Sequence, residues 1–105
     1  MPDLFDLPFT PEMETAILEG RKIMTSRRKY RPAWRPGSGA VFRVGDKNFE
    51  IVAGWWGPYK LIRDRLYLAE GFSSSEELDQ FFRGLGYPTH DRAIYYMIFF
   101  RPLGG

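Results

Sequence analysis

Cysteine is absent from the chain and histidine occurs once, at position 90. Without thiols there is no disulfide framework and no thiolate zinc site, and one imidazole cannot build a histidine-rich metal site. Neither a metal nor a cofactor is expected. The lack of cysteine is in keeping with a reducing compartment. Long hydrophobic runs are missing too. The longest, Ala93 to Phe100, falls far short of the ~20 residues that span a bilayer. The first residues, MPDLFDLPFTPEME, hold no basic segment followed by an apolar run, so they do not read as a secretory signal. A soluble, cytoplasmic protein without a membrane partner is expected. Repeats, low-complexity tracts and linkers are absent, and 105 residues suit one domain, residues 1–105, with a monomer favoured.

What is abundant is aromatic. Phe, Tyr and Trp make up 17% of the chain, which compensates for the modest core of a small protein, because each ring buries a large area. A net charge of +2 is too mild to argue for nucleic acid, but its distribution is uneven. Arg21, Lys22, Arg27, Arg28, Lys29, Arg31 and Arg35 are seven of the fifteen basic residues, and no acid lies between positions 21 and 35. Such a stretch attracts polyanions. A solvated loop with spare basic side chains explains it equally well.

Thr10-Pro11-Glu12 reads as a helix start, with a capping hydroxyl, proline in the first turn and an acid behind it. Met13 and Ile17, with Ala16 and Leu18, give the apolar spacing, and Gly20 stops the helix, which should cover about Pro11 to Glu19. Residues 1–10 are an extended lead-in. Lys22 to Tyr30 should begin as a strand and open into a Pro- and Gly-rich loop through Gly39. Ala40–Val44 and Phe49–Ala53 form a hairpin about Gly45–Asn48. Trp55–Ile62 is a further candidate strand, broken at Gly57-Pro58, and Leu61–Leu68 fits a strand extension or a short helix. Ser73-Ser74-Ser75-Glu76-Glu77 starts a second helix through a capping box, either Ser73 with Glu76 or Ser74 with Glu77. Its buried face is Leu78, Phe81 and Phe82, and Gly84 to Gly86 end it. Ala93–Phe100 is a central strand. The order implies an α+β protein with a curled sheet or small barrel flanked by helices.

Two segments resemble a known family. Gly20, Lys22, Thr25 and Arg27 stand in the spacing G-x-K-x-x-T-x-R behind a helix, which resembles the first signature of ASCH domains. Glu70, placed before the serine-capped helix, resembles the second, and Gly39–Val52 looks like the hairpin between them. The resemblance implies a PUA-like small β-barrel flanked by two or more helices, with a cleft that binds RNA or a modified nucleoside or nucleotide. One branch of the family looks like small amidohydrolases that deacetylate N4-acetylcytidine, and another is linked to RNA cleavage. By the same resemblance Lys22, Thr25 and Glu70 are the candidate catalytic residues; Arg27 is the candidate substrate-binding residue by its own chemistry. Arg21, Arg28, Lys29, Arg31, Trp34 and Arg35 would extend the binding surface. The chain departs from the amidohydrolase pattern at Ile23, where a threonine is common, and in its arginine-rich insertion, Arg28 to Arg35.

The chemistry of the set is coherent. A lysine with a lowered pKa can deprotonate a threonine hydroxyl. An arginine fork can hold a phosphate or a base oxygen. A carboxylate can accept the exocyclic amine of a base or carry a proton to a leaving group. In an extended segment Thr25 and Arg27 share a face and Lys22 faces the other way, so a bend after the helix is required for convergence. Each residue also has a plain structural reading: Thr25 as an ordinary strand residue, Lys22 and Arg27 as surface charges paired with Glu70, His90 as a turn residue. One of Trp55 and Trp56 should enter the core, leaving Trp34 as the better candidate for stacking on a base.

Overall fold

The computed structural model of the chain describes residues 4–104. Positions 1–3 of the expected lead-in lie outside the described residues. From Leu4 the lead-in is extended, and Leu4 bridges Val41. Helix α1 spans Pro11–Leu18, capped by the Thr10 hydroxyl, which accepts from the Met13 N–H at 3.3 Å. It buries Met13, Ala16 and Ile17, while Leu18 stays exposed. Strand β1 is Met24–Arg27, and a single 3-10 turn covers Pro32–Trp34. Strands β2 (Val41–Val44) and β3 (Lys47–Pro58) form the expected hairpin, but β3 is one continuous twelve-residue strand. The expected separate strand from Trp55 is therefore its second half. Helix α2 then takes Tyr59–Arg65, directly after Pro58, whose fixed φ suits the position before a helix. That settles the ambiguous Leu61–Leu68 segment as helical in its first half. Helix α3 is Ser75–Gly84 and β4 is Ile94–Pro102.

The α3 cap is built from both serines. Ser74 is the N-cap and accepts from the Glu77 N–H at 3.1 Å, while the Ser73 hydroxyl donates to the Glu77 carboxylate at 2.9 Å.

The four strands run antiparallel in the order β1-β4-β3-β2, so β4 is central, as its run of β-formers predicts. The β3–β4 register slips between Ile51 and Ala53. A bulge of this kind bends its strand and increases twist, and the sheet curls into a half-barrel. Alternation along β4 feeds two cores. Tyr96, Ile98 and Phe100 face Ile17, Trp34, Phe42 and Phe49 on one side. Tyr95 and Met97 face Tyr59, Ile62, Leu78 and Phe82 of α2 and α3 on the other. The architecture is the α+β, PUA-like one that the sequence implies. Among the described residues no helix is long and apolar enough to cross a membrane.

The tryptophans are distributed differently from expectation. Trp34 is 6% exposed and belongs to the core on the α1 side, so it cannot serve as an open stacking surface. Trp55 and Trp56 are 42% and 50% exposed, and neither enters a core. They sit near the end of β3, on opposite faces. Trp55 lies flat on Phe99, with centroids 5.2 Å apart, and Trp56 meets Tyr96 edge-on. The 3-10 turn explains the exchange: it folds the arginine-rich loop back so that its tryptophan fills the core.

Candidate functional site

The bend that convergence requires is present. Gly20 has φ of +81°, a conformation open to glycine, and the Arg21 and Lys22 N–H groups both turn back to the Ala16 carbonyl. The Ile23 and Met24 N–H groups then share the Ala69 carbonyl, at 2.8 and 3.2 Å. The chain enters β1 only after this irregular step, and Lys22 is directed inward beneath the α2–α3 connection. Gly71 makes that possible. Its φ is +100°, and a Cβ there would lie 3.0 Å from the Lys22 Cβ.

Lys22 and Glu70 form a buried ion pair, 3% and 2% exposed. The ammonium donates to Glu70 Oε1 at 2.7 Å and to the Glu70 main-chain oxygen at 3.0 Å. The second carboxylate oxygen accepts from Ser26 Oγ at 2.6 Å. Burial lowers the Lys22 pKa below the usual lysine value; Glu70 opposes this by attraction and hydrogen bonding, and Arg27 adds to it by repulsion. Burial likewise lowers the Arg27 pKa. The Arg27 guanidinium donates to the Pro8 carbonyl at 2.8 Å and lies over the Phe9 ring, 5.0 Å from its centre.

Lys22, Thr25, Ser26, Arg27 and Glu70 line one cavity of about 320 Å³. That lies near the small end of the range for ligand pockets, about 300–1,000 Å³. The rest of its wall is largely apolar and comes from Phe9 and Met13 on one side and Phe72, Phe81 and Phe82 on the other. Thr25 and Ser26 alternate on β1, yet both reach the cavity because it wraps the free edge of that strand. The Phe100 N–H bonds to the Ile23 carbonyl across the β1–β4 register. In an antiparallel ladder this makes Thr25 and Arg27 the residues that exchange bonds with β4, and it turns the Ser26 N–H and C=O away from β4 toward the open edge.

The four residues named by the motif therefore come together, with one qualification of arrangement. The Lys22 ammonium is held by Glu70, not by the Thr25 hydroxyl. Ser26 is the residue that sequence reasoning missed. It stands at an unspecified position of the motif, but a serine on the buried face of a strand needs a hydrogen-bond partner, and that was the available signal. The wider basic set stays outside the cavity. Arg21 pairs with Glu19 at 2.6 Å on the surface. Arg28 donates to the Ile94 carbonyl at 2.6 Å and lies over Tyr95. Lys29, Arg31 and Arg35 are exposed. Among the described residues no group of acids and histidine is clustered as a metal site, and His90 is exposed.

Neither a protein-family model nor a curated protein matches the chain. Two solved structures do. The crystal structure of an ASCH domain from Lactobacillus crispatus JV V101 superposes with a TM-score of 0.60 at 15% identity, over 95% of this chain and 78% of that one. The crystal structure of a serine-to-alanine mutant of an ASCH protein from Zymomonas mobilis gives 0.59 at 20% identity, over 97% and 73%. The fold of the chain is that of an ASCH domain.

Proposed function

We propose that the cavity at the edge of β1 binds the base of RNA or of a modified nucleoside or nucleotide. The observation that carries this reading is a buried, hydrogen-bonded Lys22–Glu70–Ser26 cluster at one end of an otherwise apolar, aromatic-walled cavity. A flat heterocycle suits such a space, since its faces need apolar walls and its edge needs fixed donors and acceptors. The outward amide of Ser26 offers one donor and one acceptor side by side, and Arg27 lines the same cavity with a guanidinium suited to a phosphate or a base oxygen.

A second reading, as an amidohydrolase, is favoured by the lowered Lys22 pKa and by a threonine hydroxyl that lines the same cavity. Lys22 in its neutral form takes the Thr25 hydroxyl proton as the oxygen attacks the acetyl carbonyl of N4-acetylcytidine. The carbon–nitrogen bond breaks, and the leaving amine receives that proton through Glu70. Water then hydrolyses the Thr25 ester and releases acetate, or, with Thr25 only orienting it, attacks directly. Incubation with N4-acetylcytidine and with plain RNA separates the outcomes. Acetate release identifies the amidohydrolase and strand scission a related ribonuclease. Binding without either leaves a recognition module, and absence of binding to both ligands removes the proposal.

A further inference from the structure

A row of aromatic side chains lies next to the cavity and plays no part in it. On the α1-side face of the sheet, the register places Arg27 of β1 beside Tyr96 of β4, and Tyr96 beside Trp56 of β3. The Tyr96 ring is the centre of a cluster. Tyr30 meets it edge-on at 4.8 Å and Trp56 at 5.4 Å. Tyr96 itself is buried, whereas Tyr30 is 39% and Trp56 50% exposed. Gly54 holds the arrangement open, since a Cβ there would come within 2.9 Å of the Tyr96 ring carbon that bears the hydroxyl. The row is thus a built surface: a fixed buried ring carrying two exposed ones.

Its electrostatic surroundings are one-sided. Tyr30 sits between Lys29 and Arg31 in the acid-free stretch, and all three are exposed. Arg28 is turned to the opposite face, where it lies over Tyr95, so Lys29 and Arg31 are the cations that flank the row in sequence. Glu50 of β3 and Asp91 before β4 are engaged with Arg101 and Arg63 respectively. Exposed aromatic faces with cations along one flank are what an unpaired nucleic-acid strand needs, bases on the rings and phosphates on the cations. A protein partner offering an apolar surface would leave those cations without counter-charge.

We infer that the Tyr30–Tyr96–Trp56 row is a stacking platform for single-stranded nucleic acid, continuing the path of a strand whose one base occupies the cavity. The inference rests on the base-binding reading of the cavity for the link between the two sites, and names an oligonucleotide as the preferred ligand. Strands of a sheet are about 4.8 Å apart, so Trp56, two strands from Arg27, lies roughly 10 Å from the cavity rim.

The test uses a short fluorescein-labelled oligocytidylate followed by polarisation at low salt, with cytidine and N4-acetylcytidine as ligands that occupy the cavity alone. Trp56→Ala should weaken oligonucleotide binding roughly 5- to 150-fold, the loss of one base–ring stack, and Trp56→Phe should restore much of it. Neither variant should change nucleoside affinity. Replacing Lys29 and Arg31 together should flatten the salt dependence, by about 0.7 in the log–log slope for each phosphate no longer neutralised. Binding of the oligonucleotide that depends on Trp56, without binding of either nucleoside, would uphold the platform and remove the cavity reading alone. Unchanged oligonucleotide affinity in Trp56→Ala, or no binding by the intact protein at low salt, would overturn the platform. So would self-association of the intact protein, seen by sedimentation, that Trp56→Ala abolishes, because the row would then be an interface between copies.

Discussion

Replacing Lys22 by methionine keeps most of the side-chain length and removes the ammonium. Glu70 then loses the donor at 2.7 Å and retains Ser26 at 2.6 Å. A carboxylate 2% exposed has little water to replace that donor. Removing one partner of a buried ion pair costs about 3–5 kcal/mol, a large share of the 5–15 kcal/mol or so that holds a domain together. The pH dependence follows from the charge left behind. In Lys22→Met the folded state holds an uncompensated buried carboxylate. Glu70→Gln strands the ammonium instead. Its pKa is already lowered by burial, and the attraction that opposed this is gone. The folded state gives up its proton more easily than the unfolded chain, so this loss is full below the lowered folded value and shrinks as pH rises from there toward the ordinary lysine value of about 10.4. The double variant should cost less than the sum of the two, because it leaves no unpaired charge. Urea unfolding across the pH range, followed by tryptophan fluorescence, reads all three. A cost below about 1 kcal/mol that does not vary with pH, as for an exposed pair, would refute the reasoning.

Ser26→Ala removes one hydrogen bond to a charged group and should cost about 1.5–3 kcal/mol in urea unfolding. Gly71→Ala meets both a positive φ of +100° and the Lys22 Cβ at 3.0 Å, so a loss of at least about 1–2 kcal/mol in the same assay is expected. For ligand binding measured by calorimetry, Arg27→Ala should cost more affinity than Thr25→Ala, since a charge-assisted hydrogen bond outweighs a hydroxyl. If acetate is released from N4-acetylcytidine, Thr25→Ala and Lys22→Met should each abolish it, and their combination should be no worse than either alone.

The parts of the fold that local chemistry determines were legible from the residues. Thr10-Pro11 and the Ser73–Glu77 run announce helix starts because capping needs particular side chains at particular places. Ile94–Phe100 is central because a strand buried on both faces has no polar alternation to show. The misreadings concern tertiary choice. Gly57-Pro58 suggests a break, yet β3 runs through to Pro58 before α2 begins; no local rule states how far a partner strand will pair. Trp34 sits among prolines and arginines, which argues for a surface loop, but it is the tryptophan that the core takes up. Within the site, Lys22, Thr25, Arg27 and Glu70 were recoverable from a motif. Their arrangement depended on Gly20, Gly71 and the shared Ala69 carbonyl, none of which carries the chemistry.

The position of the ion pair determines which substitutions can report on function. Lys22 belongs to the α1–β1 turn and Glu70 to the connection between α2 and α3, 48 residues later. Their hydrogen bonds, with that of Ser26, tie the edge strand to the helical layer, so changes at these three positions loosen the fold and empty the site together. Loss of activity in Lys22→Met or Glu70→Gln is expected from either cause. Thr25 differs. It lines the cavity but is not a partner in the Lys22–Glu70–Ser26 hydrogen bonds, so Thr25→Ala removes a reactive oxygen and leaves that network in place. A Thr25→Ala protein that unfolds at the same urea concentration as the parent, binds N4-acetylcytidine and releases no acetate would identify the hydroxyl as chemical. One that unfolds normally and retains full acetate release would exclude Thr25 from the reaction and leave water activated at Lys22–Glu70 as the route still open to the enzyme reading.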